Sequence, residues 1–418
     1  MKIAVIGSGI SGLTCAYQLH KTHDVHVFES APRIGGHTAT VDVTVDDQTY
    51  AVDTGFIVYN DRTYPHFIKM LADLDIATQP SEMSFSVKCA QSGLEYGGAG
   101  VNTLFAQRRN LFKPRYWRML LDIVRFNKQA LRDAEKSDFS DTLTLGGYLE
   151  QHGFSDLFVS HYLLPMGSAI WSATTADMTD FPAKLFVTFF KNHGLLSVTN
   201  RPQWRVLVGG SNQYLAPLSS GYADRIHLNS RIKRVSRDVT GVTLAFENAD
   251  PMQFDQVVFA CHSDQALALL ENPSDEETAI LGAIPYQNNV VTLHTDTRLL
   301  PQAVRAWSSW NYHIDGDTQQ PPILTYNMNI LQSIQSDRTF LVTLNADHLI
   351  NPDLILGQFQ YAHPQFSTAA YRAQRRWHEI NGVNNTWFCG AYWANGFHED
   401  GHVSGLRVAE HLLTGSHS

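Results

Sequence analysis

The sequence lacks paired cysteines and an excess of positive charge. Its four cysteines are far apart and form no C-x-x-C pair, so neither a thiolate zinc site nor a disulfide framework is predicted, and a reducing compartment is expected. The 40 acidic side chains outnumber the 31 basic ones, which gives a net charge of -9. A general nucleic-acid-binding protein needs the opposite balance, because lysine and arginine must face the phosphates. We therefore expect no nucleic-acid partner.

Long apolar runs are also missing. No uninterrupted apolar stretch reaches the roughly 18 residues that a membrane span requires. The N-terminal sequence MKIAVIGSGISGLTC resembles a signal peptide only superficially, since glycines interrupt it and no small-residue cleavage site follows. These absences predict a soluble, cytoplasmic chain. Its length of 418 residues favours two domains, because one hydrophobic core seldom serves so long a chain.

The first thirty residues carry a dinucleotide-binding pattern. Lys2–Ile6 is an apolar run typical of a strand buried on both faces, and a G-x-G-x-x-G sequence and a helical pattern follow it. The second strand ends at Glu29, about 20 residues after the first glycine, where a carboxylate can accept hydrogen bonds from ribose hydroxyls. The glycines allow a tight turn, close approach of a pyrophosphate, and close packing of helix on strand. The predicted phosphate-binding residues are Gly7, Ser8, Gly9, Ser11 and Gly12.

A second glycine pair follows directly, in the sequence Ala31-Pro32-Arg33-Ile34-Gly35-Gly36-His37-Thr38. This resembles the FAD-dependent amine oxidase and phytoene desaturase superfamily, in which the ribose-binding acid leads into R-x-G-G. The resemblance implies FAD as the cofactor. It also implies cofactor contacts from the loop residues Arg33, Gly36, His37 and Thr38. The family usually has arginine after the two glycines, whereas this chain has histidine.

Further segments extend the resemblance along the chain. Val52–Phe56 looks like the family's D-x-G turn beside the flavin, and Val206–Ser211 looks like its central G-G segment. In the family, a hairpin that matches Ile226–Phe246 supplies a backbone contact to adenine, and the last helix points its N-terminus at the flavin's pyrimidine ring. We expect that helix to begin at Gly401. The further cofactor residues implied are Thr54, Gly55, Phe56, Val235, Gly390, Phe397, Gly401, His402 and Val403.

The matching segments predict how the chain is divided. We expect an α/β fold with a Rossmann-like FAD domain of the glutathione-reductase and amine-oxidase type, built from residues 1–58, 203–263 and 386–418. An interleaved α+β substrate domain would comprise residues 59–202 and 264–385. A second glycine-rich run, Gly97–Gly100, lacks the strand–turn–helix context of a nucleotide site. A separate NADPH module is therefore not predicted, and the electron acceptor would be oxygen, a quinone or another acceptor.

The stretch NGFHEDGH at residues 395–402 raises a metal alternative. It contains H-E-x-x-H, which on a helix gives two zinc ligands and a catalytic glutamate. Its glycines predict a loop rather than a helix interior, and no third ligand is evident. We therefore predict no metal site. His398 and Glu399 become candidates for a general base, or for a group that orients one, near the flavin.

A basic amphipathic segment spans Arg108–Lys128. Pro114 suits the first turn of a helix, and the following pattern combines arginines with a wide apolar face that includes Trp117 and Leu121. One interpretation is a helix of the substrate domain with its apolar face in the core. The other is peripheral contact with an anionic membrane surface at the inner face of the membrane.

Four functions remain open at this point. The overall pattern looks most similar to a bacterial branch of predicted FAD-dependent oxidoreductases, some of which are linked to fatty-acid modification. This favours a flavin oxidoreductase that desaturates a small apolar or lipid substrate such as a fatty-acyl chain. The alternatives are a flavin amine oxidase, a fatty-acid double-bond isomerase, and a non-enzymatic lipid- or prenyl-binding protein similar to the Rab GDP-dissociation inhibitors.

Overall fold

The computed structural model describes residues 1–136, 139–197 and 201–415. The strands are β1 Lys2–Ile6, β2 Asp24–Phe28, β3 Thr40–Val45, β4 Gln48–Asp53, β5 Tyr59–Asn60, β6 Thr78–Pro80, β7 Phe85–Cys89, β8 Glu95–Gly97, β9 Trp204–Leu207, β10 Ile226–His227, β11 Ile232–Asp238, β12 Gly241–Phe246, β13 Met252–Phe254, β14 Gln256–Phe259, β15 Tyr286–His294, β16 Trp310–Ile314, β17 Ile323–Asn327, β18 Leu341–Leu344, β19 Ile355–Pro364 and β20 Thr386–Phe388.

The α-helices are α1 Ile10–Leu19, α2 Pro65–Asp73, α3 Val101–Leu104, α4 Pro114–Ala134, α5 Leu145–His152, α6 Asp156–Phe158, α7 Leu164–Trp171, α8 Thr175–Asp180, α9 Ala183–Asn192, α10 Leu215–Ser219, α11 Ser263–Leu269, α12 Asp275–Leu281, α13 Met328–Leu331, α14 Thr368–Gln374, α15 Trp377–Ile380 and α16 His398–Thr414. In the three described ranges, no helix combines the length and apolar character needed to cross a membrane.

A five-stranded parallel sheet has the strand order β10-β2-β1-β14-β20. Its strands come from distant parts of the chain, yet they pair in register: Ile6 lies beside both Phe28 and Phe259. The central strands are buried on both faces, as expected when helices cover a parallel sheet. This sheet confirms the predicted α/β class with a Rossmann-like core.

A second, seven-stranded sheet has the order β19-β15-β18-β17-β16-β7-β8. Neighbouring strands are antiparallel, apart from the parallel pair β16 and β7. Helices α4 to α9 pack beside it around a core rich in aromatic rings, among them Phe126, Phe158 and Phe186. The carboxyl ends of the parallel strands β1, β2 and β14 face this second unit, which places their loops beside β19.

Candidate functional site

A cavity of about 1170 Å³ lies between the carboxyl ends of the parallel sheet and the second sheet. Typical ligand cavities measure roughly 300–1,000 Å³, so this one has room for an extended ligand and a second molecule. Its wall combines the turns after β1, β2 and β14 with residues from α7, β19 and the start of α16. This is the edge at which open α/β sheets bind ligands.

The G-x-G-x-x-G turn forms one end of the cavity. Gly7 has φ +106°, and a Cβ there would lie 2.8 Å from the backbone oxygen of Ala260. A Cβ on Gly12 would lie 2.0 Å from the oxygen of Gly7, which confines this position to glycine. By contrast, a Cβ on Gly9 would meet no atom within 4 Å. Gly9 therefore leaves space open in front of the N-terminus of α1, where unpaired N–H groups favour an anion.

Glu29 organises this turn from the end of β2. Its carboxylate accepts hydrogen bonds from the backbone N–H of Ser8 at 3.0 Å, the hydroxyl of Ser8 at 2.6 Å and the N–H of Ala31 at 2.9 Å. Both Glu29 and Ser8 line the cavity. The carboxylate is thus fixed at the position where the sequence predicts a ribose contact.

The second glycine loop lies over the first. A Cβ on Gly36 would lie 3.3 Å from the Cα of Gly9. The Arg33 guanidinium donates to the carbonyl oxygens of Ile34, Gly36 and Thr38 at 3.0–3.2 Å, and so holds the loop closed. Arg33 lines the cavity, but these bonds direct its guanidinium toward its own loop.

The D-x-G turn supports the histidine after the glycine pair. A Cβ on Gly55 would lie 2.0 Å from the backbone oxygen of His37, and the N–H of Phe56 donates to that oxygen at 2.8 Å. The ring Nε2 of His37 contacts the carbonyl oxygen of Ala362 in β19 at 3.1 Å. Burial, the nearby His262 and the Arg33 charge lower the pKa of His37 to about 4, although the bond to Ala362 opposes the shift. His37 is therefore neutral near pH 7.

His398 lies at the first position of α16 and faces the cavity. Its ring stacks on Phe56 with centroids 3.7 Å apart, and its Nε2 lies 2.9 Å from the hydroxyl of Tyr214. That hydroxyl also lies 2.6 Å from the hydroxyl of Thr38. Burial, followed by the nearby His402 and His37, holds the pKa of His398 well below its usual range. A neutral, positioned imidazole can orient a ligand or accept a proton.

The start of α16 differs from the prediction. The helix begins at His398, three residues before Gly401, so H-E-x-x-H lies on a helix after all. The Asp400 carboxylate accepts the N–H groups of Asn395 and Phe397 at 3.2 and 2.9 Å and caps the helix there. The loop prediction was wrong because the glycines serve helix packing: a Cβ on Gly401 would lie 2.8 Å from Ile10.

The three H-E-x-x-H side chains bond to different parts of the molecule. The Glu399 carboxylate accepts the backbone N–H groups of His66 and Phe67 at 3.0 and 2.8 Å, at the N-terminus of α2. His402 Nδ1 lies 2.7 Å from the hydroxyl of Thr14 in α1. Among residues 1–136, 139–197 and 201–415, no three His, Cys, Asp or Glu side chains are grouped to hold a metal ion.

Most of the predicted site residues meet at the cavity. Its wall includes Gly7, Ser8, Gly9, Ser11, Glu29, Arg33, Gly36, His37, Thr38, Gly55, Phe56, Gly390, Phe397 and His398. Seven predicted residues lie outside that wall, namely Gly12, Thr54, Val235, Glu399, Gly401, His402 and Val403.

Two groups of these residues lie away from the wall for identifiable reasons. The earlier start of α16 brings Asn395, Gly396, Phe397 and His398 to the cavity, so Gly401, His402 and Val403 lie a turn beyond it. Val235 is buried in β11, and its backbone oxygen accepts the N–H of Glu271 at 3.1 Å. At that end of the cavity the wall consists instead of Ser230, Arg231 and Ile232.

Several wall residues were not predicted. Tyr286, Tyr361 and His363 come from β15 and β19, and long-range pairing alone brings these strands to the site. His262 lies between β14 and α11, and its place after that strand was the one usable signal in the sequence. No local motif identifies the other three.

The opposite end of the cavity is apolar. Its wall there includes Ile170, Trp171, Trp310, Tyr326, Phe366 and Phe397. Phe397 stacks on Phe189 with centroids 4.9 Å apart, so the ring is fixed. The indole N–H of Trp171 donates to the oxygen of Asn395 at 3.3 Å. Among the described residues, the only carboxylates in the cavity wall are Glu29 and Glu247. Glu29 lies in the turn after β2, and Glu247 lies after β12, where its N–H donates to the oxygen of Arg231.

Comparisons with known proteins indicate the family and the fold. The family model described as flavin containing amine oxidoreductase matches residues 10–326. Cyclohexylamine oxidase from Brevibacterium oxydans IH-35A has a TM-score of 0.69 at 15% identity over 99% of both chains. A CLA-producing fatty acid isomerase from P. acnes has a TM-score of 0.70 at 15% identity over 98% of both chains. A putative protoporphyrinogen oxidase from Exiguobacterium sp. 255-15 has a TM-score of 0.67 at 15% identity over 99% of both chains. Such low identity shows a shared fold. No curated protein matches the chain.

Proposed function

The chain belongs to the family of flavin-containing amine oxidoreductases and is an FAD-dependent oxidoreductase, and from that premise we propose that its substrate is a fatty-acyl or similar apolar chain. The proposed reaction removes a hydride from one carbon and a proton from the neighbouring carbon, which leaves a new double bond. The proton passes to a base, for which His398 in the cavity wall is the candidate. Bound FAD supplies the acceptor for that hydride. Oxygen or a quinone is the proposed final electron acceptor, since the sequence has a single dinucleotide fingerprint.

The residues present fit this cofactor. The open space in front of Gly9 and the N-terminus of α1 suit a pyrophosphate, and Glu29 suits a ribose. The first turn of α16, with His398, would lie at the other end of the flavin, where helix N–H groups favour negative charge. We propose that residues 1–58, 203–263 and 386–418 form the FAD domain, because β1, β2, β10, β14 and β20 all come from them. Residues 59–202 and 264–385 would form the substrate domain.

The observation that carries the substrate proposal is that, in the described residues, no carboxylate lines the apolar end of the cavity. Asp400 lies outside the wall, where it accepts the N–H groups of Asn395 and Phe397. In the described residues, the two wall carboxylates lie with the nucleotide-binding turns. An ammonium substrate would enter an aromatic and aliphatic wall with no carboxylate to offset its desolvation. An uncharged alkyl chain gains from the same burial, at about 25 cal/mol per Å².

A flavin amine oxidase is the second candidate. Phe397 lines the cavity at the place where the family has one aromatic residue of an amine cage, and its ring is held by Phe189. A neutral amine can lie between aromatic faces without a carboxylate. This candidate and the first require the same cofactor and differ in the substrate that reduces it.

Anaerobic mixing separates the two candidates. The FAD-loaded protein is mixed with a long-chain fatty acid and with the amine of the same chain length, and loss of the visible flavin absorbance is followed. We expect the acid, but not the amine, to reduce the flavin. Reduction by amines alone would contradict the proposal. A product of unchanged oxidation level would indicate an isomerase, and a purified protein that takes up no FAD would indicate a binding role.

A pair of variants sharpens this test. Ile170→Asp adds a carboxylate to the apolar wall, and Ile170→Asn adds a side chain of the same shape without the charge. We expect Ile170→Asp to weaken fatty-acid binding more than Ile170→Asn does, because only the first adds a charge that repels the acid and must be desolvated. Equal effects of the two variants would mean that the substrate does not reach this wall.

We also propose that the segment Arg108–Lys128 contacts an anionic membrane surface. Tyr116, Met119 and Phe126 of α4 are buried in the core, in agreement with the first interpretation. The opposite side exposes apolar side chains, with Phe112 86% and Leu121 66% exposed. Exposed cations surround them at Arg108, Arg109, Lys113, Arg115, Arg118, Arg125 and Lys128.

The charge on this side supports an anionic partner. Asp122 is the acidic residue of the segment, and it is buried, where it pairs with Arg118 at 3.7 Å and with Arg125 at 3.2 Å. An apolar ridge surrounded by cations is the pattern of helices that lie in the headgroup region of a membrane. Each cation near an anionic surface contributes about 1 kcal/mol.

Vesicle sedimentation tests this contact. We expect the protein to sediment with phosphatidylserine vesicles and not with phosphatidylcholine vesicles, and to be released by salt. Phe112→Ser with Leu121→Ser should abolish sedimentation. Val304→Ser is the matched control, because Val304 is also 66% exposed but lies outside this segment. Equal recovery with both lipids would contradict the proposal.

A further inference from the structure

Three imidazoles lie together in the cavity wall. The ring centroids of His37 and His262 are 5.9 Å apart, and those of His37 and His363 are 5.4 Å apart. They come from the loop after β2, the turn between β14 and α11, and strand β19. All three line the cavity. This cluster joins the nucleotide-binding turns to the second sheet.

The cluster lies beside the phosphate-binding turn. His37 follows Gly36, and a Cβ on Gly36 would lie 3.3 Å from the Cα of Gly9. His262 follows the Ala260–Cys261 segment, and a Cβ on Gly7 would lie 2.8 Å from the backbone oxygen of Ala260. Two of the three imidazoles are therefore attached to the two segments that enclose the G-x-G-x-x-G turn.

Each imidazole is held in place by neutral groups. His37 contacts the carbonyl oxygen of Ala362, and the amide of Asn289 donates to His363 Nδ1 at 3.2 Å. That bond leaves the proton of neutral His363 on Nε2. The His262 ring stacks on Tyr286 with centroids 4.2 Å apart.

The charged groups near the cluster do not neutralise a phosphate. Arg33 is the cation that acts on His37, and its guanidinium bonds to the carbonyl oxygens of its own loop. His398 also faces His37 and is neutral. The acidic groups of the surroundings, Asp264 and Glu29, act on Cys261 and would repel an anion. The other titratable neighbours are the hydroxyls of Tyr286 and Tyr361.

We infer that His37, His262 and His363 together bind the pyrophosphate of FAD, and that the cluster takes up a proton when the anion binds. This inference rests on the FAD site of the proposed function. In the protein without the anion, burial and mutual repulsion keep the three rings neutral, and the pKa values of His37, His262 and His363 are lowered to about 4, about 4 and about 3. A pyrophosphate beside them favours the charged form of at least one ring.

The direction of the pH dependence follows from this uptake. Because the complex holds a proton that the free protein has lost, FAD binds more tightly as the pH falls toward the pKa of the free cluster. The dissociation constant decreases by up to about tenfold per pH unit when one proton is taken up. Below about pH 4, both forms are protonated and the dependence ends.

Calorimetric titration of FAD into the cofactor-free full chain tests the inference. Proton uptake is obtained from the observed heats in buffers with different ionisation enthalpies. We expect uptake of about one proton near neutral pH, and a loss of FAD affinity in His37→Gln and in His363→Gln. His294→Gln is the matched control, because His294 is also buried with a lowered pKa but bonds to Thr343 in the second sheet.

His37→Arg keeps the test decisive if the glutamine variants fail to fold. Arginine supplies a permanent charge, so this variant should bind FAD at least as tightly as the natural protein and take up little or no proton. FAD binding without proton uptake in the natural protein would overturn the inference and leave the proposed function standing. Unchanged uptake in His37→Arg would also overturn it. A chain that binds no FAD at any pH would instead contradict the proposed function.

Discussion

Glu399 lies below the cavity, where its carboxylate accepts two backbone N–H groups at the start of α2. Glu399→Ala would leave these buried groups without an acceptor, so we expect the free energy of unfolding to fall by about 1–3 kcal/mol. Glu399→Gln retains one acceptor oxygen and should lose less. Urea unfolding of the FAD-loaded protein measures both. A large loss of flavin-reduction rate in Glu399→Gln, with unchanged stability, would restore the catalytic role first predicted for this residue.

Asp400 gives stability a defined pH dependence. Burial is the largest influence on its pKa, which rises from 3.8 to about 7 although the capping hydrogen bonds oppose the shift. Between about pH 4 and pH 7 the folded chain therefore holds a proton that the unfolded chain has lost. Its contribution to the free energy of unfolding falls as pH rises through this window, by up to about 1.4 kcal/mol per pH unit.

Asp400→Asn tests that dependence. The asparagine oxygen can still accept the N–H groups of Asn395 and Phe397, but it does not titrate. We expect the stability difference between natural protein and variant to change between about pH 4 and pH 7 and to be constant above this range. Chemical unfolding at several pH values measures it. A constant difference across the whole range would show that Asp400 does not titrate there.

Single residues differ in how far sequence could identify them. Gly7, Gly9 and Glu29 line the same cavity, and sequence could indicate their proximity because it follows from spacing within one β–α–β unit. His363 reaches the cavity, and Tyr214 reaches His398 behind the cavity wall, through tertiary packing alone, which no local pattern records. Glu399 stands beside His398 in sequence, but helical geometry turns the two side chains in different directions.

At the scale of elements, the contact between α1 and α16 depends on two glycines one turn apart. A Cβ on Gly405 would lie 2.3 Å from the backbone oxygen of Ser11. We expect Gly405→Ala to push α16 away from α1, to lower the free energy of unfolding by about 1–3 kcal/mol, and to weaken FAD binding, since Ser11 belongs to the G-x-G-x-x-G sequence and lines the cavity. Val403→Ala, at an exposed position of the same helix, should change neither property beyond about 0.5 kcal/mol. Thermal unfolding with and without FAD measures both variants.

The same contact explains why the sequence analysis placed the start of α16 at Gly401, three residues too late. Glycine inside a helix costs roughly 1 kcal/mol relative to alanine, and this local preference indicated a loop. Close packing against Ile10 and Ser11 outweighs it, and only the folded chain contains that contact. Helix α4 is a second example of a feature that depends on contacts present only in the folded chain. Its apolar pattern was evident, but the sequence could not tell which side lies in the core and which stays exposed.

At the scale of the whole molecule, one cavity connects segments that are far apart in the chain. FAD bound there would contact the N-terminal turns, the segment after β14 and the start of α16. We expect added FAD to stabilise the entire chain in one transition, by about 2.7 kcal/mol at a free concentration 100 times the dissociation constant. Scanning calorimetry at increasing FAD concentration measures this. Two separate transitions, with only one shifted by FAD, would show that the two sheets unfold independently.

The order of the parallel sheet also has a consequence for how the chain is made. Strand β1 lies in register between β2 and β14, and β14 in turn pairs with β20 near the end of the sequence. At a synthesis rate of about 5–20 residues per second, the first strand waits more than ten seconds for β14 to emerge. During that time the edge of β1 that pairs with β14 lacks its partner strand. We therefore expect a nascent chain that needs chaperone protection until translation is nearly finished.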